Sequence, residues 1–157
     1  MKAIHWIIAA AAFAFVQPAS AGVNDPEVII YRFPGVRDFG GPGNTGVATV
    51  FHCTNFSGAT ETIRFVPRAN DGALLSNTAL AISHLQTLSV STHSVSAYLI
   101  SLAPTGVVSQ GTMAIAATSI NIICTAMTID ASTSAPIGVA LRGIRYPPGR
   151  RSGARLE

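Results

Sequence analysis

Charge is what this chain has least of. Across residues 72–129 there is no Asp, Glu, Lys or Arg, and the polar positions hold almost only Ser, Thr, Asn and Gln, with His84 and His93. Nothing in such a stretch repels a neighbour. It suits either the plain Ser/Thr-rich β surface of an exported protein or a face that meets a partner or copies of itself. Lysine is equally scarce. Lys2 is the only one, so beyond the first 21 residues nine arginines stand against four aspartates and three glutamates. That excess is small, and Arg150, Arg151 and Arg155 lie in a Pro/Gly-rich tail. Without the tail no basic patch interleaved with aromatics remains, so no nucleic-acid partner is expected. Helical periodicity of any length is missing as well, which leaves an all-β chain.

The N-terminus is read as a signal peptide. Lys2 gives a short basic region, and residues 6–16 (WIIAAAAFAFV) form an unbroken apolar run. Gln17 and Pro18 interrupt it, and Ala19, Ser20 and Ala21 supply the small-x-small pattern of a cleavage site, so processing is expected before Gly22. The run is far shorter than the roughly 20 residues of a membrane-spanning helix, so no transmembrane segment is expected in the processed chain. The expected organisation is a signal peptide (1–21), one domain (22–146) and a flexible basic tail (147–157), with export to the periplasm or the medium.

Short β-rich runs alternate with turn signals. Residues 28–33 (VIIYRF) read as a strand that ends at Pro34 and Gly35, followed by a Gly/Pro-rich loop to Gly46. Strands follow at 47–54 and 60–68, where Ile63 and Phe65 alternate with Thr62 and Arg64, before the turn at Asn70, Asp71 and Gly72. Residues 73–76, 79–82 and 87–92 read as short extended pieces, and 93–101 as a helical turn. The two most apolar segments, 112–117 and 121–129, read as a hairpin, and 137–146 closes the domain. Seven to nine short strands at this spacing imply a two-sheet antiparallel sandwich.

Two cysteines, each inside an apolar strand, allow one intramolecular pairing. In an exported protein that pairing, Cys53 to Cys124, is expected to be a disulfide. A redox-active pair would want close spacing such as C-x-x-C, which the sequence does not offer. Cys53-Thr54-Asn55, then residues 61–66 before a Gly-containing turn, then 111–117, then Ile123-Cys124-Thr125-Ala126 with Asp130, resemble a pattern in small exported bacterial proteins. The resemblance covers about 90 residues. It implies an immunoglobulin-like sandwich and carries no known activity and no site.

Metal and catalytic sites find little support. His52 and Cys53 are strand neighbours, so their side chains leave opposite faces and cannot hold one ion. His84 and His93 lack chelating spacing and read as exposed or turn-capping residues. No G-x-S-x-G elbow, H-E-x-x-H or Walker loop occurs. Gly40-Gly41-Pro42-Gly43 has no helix after it to complete a phosphate cradle. Asn55-Phe56-Ser57 matches a glycosylation triplet, but Asn55 reads as a turn residue. No cofactor is expected. The expected function is surface contact with an envelope or extracellular partner, or self-association, without catalysis. The alternative is a hydrolase or carbohydrate-active enzyme on a β scaffold, since a fold does not exclude an activity.

Overall fold

The computed structural model describes residues 26–41 and 43–146. The expected signal peptide and basic tail lie outside the described residues. Ten strands follow in chain order: β1 (Val28–Gly40), β2 (Gly46–Asn55), β3 (Glu61–Arg68), β4 (Thr78–Ile82), β5 (Thr87–Ser91), β6 (Ser101–Leu102), β7 (Val108–Ala117), β8 (Ile122–Asp130), β9 (Gly138–Leu141) and β10 (Ile144–Arg145). No helix occurs among the described residues.

One ladder runs β10-β1-β7-β3-β4 and a second runs β9-β8-β2-β5-β6. All pairs are antiparallel except the short β5–β6 pair. The ladders are not separate sheets, because the end of β1 pairs with the start of β2 through Phe39–Val47 and Gly40–Gly46. The result is one continuous, nearly closed, barrel-like sheet. The chain is therefore all-β as expected, but its ten strands do not divide cleanly into the expected two-sheet sandwich of seven to nine.

The cause lies in β1. Pro34 and Gly35, which read as the end of a strand, instead form an irregularity inside one. Gly35 takes a φ of 81°, and the register with β7 shifts between Pro34 and Val36 and again between Val36 and Asp38. Extra residues bend a strand and raise its twist, so β1 leaves one layer and reaches the other.

Other expectations change for similar reasons. The expected hairpin of 112–117 with 121–129 does not form, because β7 is flanked by β1 and β3 while β8 is flanked by β2 and β9. The connection between them crosses from one layer to the other. Thr118 and Ser119 are buried on the way, with the Thr118 N–H donating to the Thr62 carbonyl and the Asn121 N–H to Ser119 Oγ. Residues 73–76 contribute only a single bridge, Arg68 to Leu74. Segment 137–146 splits into β9 and β10 around Gly143, where a Cβ would lie 2.3 Å from the Phe33 ring.

The main core holds Phe33, Phe51, Phe65, Ile63, Ile82, Met113, Ile115 and Ile122 between the ladders. Phe51 meets Phe33 edge-on at 5.5 Å and Phe65 at 6.2 Å. Asn55 and Glu61 are buried polar groups at strand ends. Asn55 donates both amide hydrogens, to the Ala59 and Ile82 carbonyls, and accepts the Ser57 N–H. This fits its reading as a turn residue and seals its amide inside the protein. Glu61, also fully buried, accepts from the Thr118 hydroxyl, which in turn accepts the Thr62 N–H.

Candidate functional site

Cys53 and Cys124 form the disulfide. They are direct partners in the β2–β8 ladder, with Cα atoms 4.1 Å apart, the close spacing of a non-hydrogen-bonded antiparallel pair. In an immunoglobulin domain the conserved bond joins two sheets; here it joins neighbours within one layer. Both residues are buried, so the bond acts on the fold and is shielded from exchange.

The other face of β2 is covered by residues 93–100, which the sequence reads as a helical turn. They form a strap of successive bends with no helical turn. Alternation places Ala48, Val50 and His52 opposite Phe51 and Cys53, and Val95, Tyr98 and Ile100 close over Ala48, Val50, Met127 and Ile129 as a second small core. At the middle of the strap the Ser96 N–H donates to the Ala131 carbonyl, and Asn44 Nδ2 donates to Ser96 Oγ.

His52 lies beneath this strap, its ring edge-on to Tyr98 at 4.7 Å and its Nδ1 2.9 Å from Ser89 Oγ. The strap and β5 carry no charged residue, and β8 has only Asp130 at its far end. A protonated ring would find no counter-charge, and burial pushes the imidazole below its ordinary value of 6.5. Below that value the unfolded chain binds a proton that the fold resists. The unfolded state then holds more protons, so stability is full above the ordinary value and falls as pH drops through it. Compared with His52→Gln, the parent protein should lose more stability between about pH 7.5 and 5.0, by a small margin because a half-buried ring is partly screened. Urea unfolding at the two pH values measures this; parallel pH profiles would refute it.

A second constellation joins residues that no motif links along the chain. Asp38, in the stretch read as a loop, is buried inside the bent end of β1. Its Oδ2 lies 3.0 Å from His93 Nδ1, a close approach without the geometry of a hydrogen bond. The Thr105 hydroxyl donates to the same oxygen, and the Gly40 N–H donates to Oδ1. Asp38, Gly40 and His93, together with Gly41, Gly43, Thr92 and Ser94, line a cavity of about 360 Å³. An Asp–His pair beside hydroxyls invites comparison with a hydrolytic triad. Yet His93 Nε2 meets the Thr45 carbonyl at 3.1 Å, and since a carbonyl only accepts, Nε2 is the donor and has no lone pair to activate a nucleophile. The Gly40 amide, which a phosphate would need, is already given to Asp38.

The remaining histidine, His84, accepts the Gly58 N–H and caps that turn. Among the described residues no three His, Cys, Asp or Glu side chains gather into a group able to hold a metal ion. No helix among the described residues is long and apolar enough to cross a membrane. In comparisons with known proteins, no family model, no curated protein and no solved structure matches the chain.

Proposed function

We propose that this chain is an exported, processed bacterial protein, related to the small two-cysteine immunoglobulin-like proteins it resembles, that works by non-covalent surface contact with an envelope or extracellular partner or with itself. The carrying observation is the uncharged span, in which Leu74, Leu85, Leu99, Leu102, Val107 and Ile123 remain exposed. Exposed apolar side chains on a surface without charge favour association. The disulfide suits an oxidising compartment. The second reading, a hydrolase on a β scaffold, draws its support from the Asp38–His93 cavity, and the engaged Nε2 counts against it.

Crosslinking in the producing cell, with a truncation of residues 149–157 alongside, tests the proposal. Capture of an envelope protein or of the chain itself, retained on truncation, is the expected result. Loss of all capture on truncation would move the contact to the basic tail. A protein that captures nothing yet turns over a substrate panel would overturn the reading in favour of the hydrolase.

A further inference from the structure

The two ends of β2 carry opposite shapes. Where the strand finishes, Phe56 and Leu85 occupy adjoining turns tied by backbone hydrogen bonds, Leu85 N–H to the Asn55 carbonyl and Phe56 N–H to the Asn121 carbonyl. Both side chains are exposed. Leu85 has a φ of 61°, the only positive φ among the described non-glycine residues. Left-handed backbone is routine for Gly and tolerated by Asn or Asp, and a leucine gains nothing locally by adopting it. Strain of this kind points to a use for the side chain it presents. Here that use is an apolar knob on a turn with no charge nearby in its own segment.

Where β2 begins, the opposite shape occurs. The register places Val47, Thr128 and Val139 on the face that carries Phe51, Cys53 and Leu141 further along. That face is core elsewhere, but β1 has turned away towards β2 and leaves its end uncovered. Val139 is 72% exposed and Ile137 93% exposed. With Val47 they line an apolar groove of about 490 Å³. Asp130 stands at its rim, its Oδ1 accepting both the N–H and the hydroxyl of Ser132, which favours the ionised carboxylate. The knob end bears the complementary charge: exposed Arg145 donates to the Ile120 carbonyl beside Asn121, whose own carbonyl accepts the Phe56 N–H.

We infer that the protein associates head to tail with copies of itself, the Phe56–Leu85 knob of one molecule entering the Val47–Ile137–Val139 groove of the next, with Arg145 facing Asp130. This inference rests on the surface-contact reading and names its partner as a second copy. Knob and groove lie at opposite ends of a strand roughly 30 Å long, so the contact is heterologous. It propagates beyond a dimer into a chain or a ring.

Sedimentation of the purified, disulfide-bonded protein over a concentration series tests it, with Leu85→Asn and Ile137→Asp as variants. Leu85→Asn relieves the left-handed backbone and Ile137→Asp alters a side chain already in solvent, so neither should lower the melting temperature. The expected result is a weight-average mass that rises past the dimer for the parent protein, with each variant alone monomeric. An equimolar mixture of the two should form a one-to-one dimer and nothing larger, because one variant keeps its groove and the other its knob. A parent protein that stays monomeric up to about 1 mM, or a closed dimer that both variants preserve, overturns the inference. A monomer that still captures a different protein in the cell overturns the head-to-tail contact alone and leaves the surface-contact reading standing.

Discussion

Cys53→Ala and Cys124→Ala are each expected to lower the free energy of unfolding by about 4 kcal/mol, and the double variant by little more. The cross-link spans 71 residues, and in the chain-entropy account its effect falls on the unfolded state, which it keeps compact. That β2 and β8 are already neighbours in the fold does not reduce the effect, because native pairing is not what the bond supplies. Each single replacement removes the whole cross-link, which is why the second adds so little. Urea unfolding of the four proteins measures the loss, and the slope against denaturant should steepen in all three variants as the unfolded chain expands. Alkylation of the freshly exported, unreduced protein should find no reactive thiol. Two alkylated cysteines, or a single variant as stable as its parent, would refute the expectation.

The pairing of the cysteines was legible in the sequence because two half-cystines leave one choice. Their place within a single layer was not, since spacing along the chain carries no information about which strands become neighbours. The same limit explains the missed hairpin. Apolar runs at 112–117 and 121–129 separated by a short polar turn look alike whether the strands fold back on each other or cross between layers. What decides is the set of partners waiting on each side: β1 and β3 for β7, β2 and β9 for β8.

The same turn residues end strands in some places and bend a strand in another. Asn55 and the turn at residues 70–72 close β2 and β3 as their chemistry requires. Pro34 and Gly35 use the same vocabulary to bend β1, and the closure of the sheet follows from that bend. Asp38 fell in the misread stretch, so its contact with His93, 55 positions on, had no sequence signal. The knob and groove were hidden differently. An exposed leucine in a left-handed turn and two valines at an uncovered sheet end are ordinary residues, made unusual only by backbone angle and register.

Phe51→Ala should be as damaging as loss of the disulfide, costing about 3–5 kcal/mol in the cross-linked protein. Phe51 is fully buried on β2, and its two ring neighbours, Phe33 on β1 and Phe65 on β3, belong to the opposite ladder. Its ring is therefore one large contact through which the two halves of the curled sheet hold each other. Truncation opens a cavity between layers that hydrogen bonds fix in place on both sides, so the walls cannot collapse to refill it. Phe56→Ala is the matched control: the same chemical change at a half-exposed turn should move stability by no more than about 0.5 kcal/mol, while weakening the head-to-tail contact. Urea midpoints for the two variants decide between a bridging ring and a merely apolar one. If Phe51 bridges, adding Phe65→Ala should cost clearly less than it does alone, because its ring partner is already gone; full additivity, or a Phe51 loss no larger than that of Phe56, would show that the ladders are held together elsewhere.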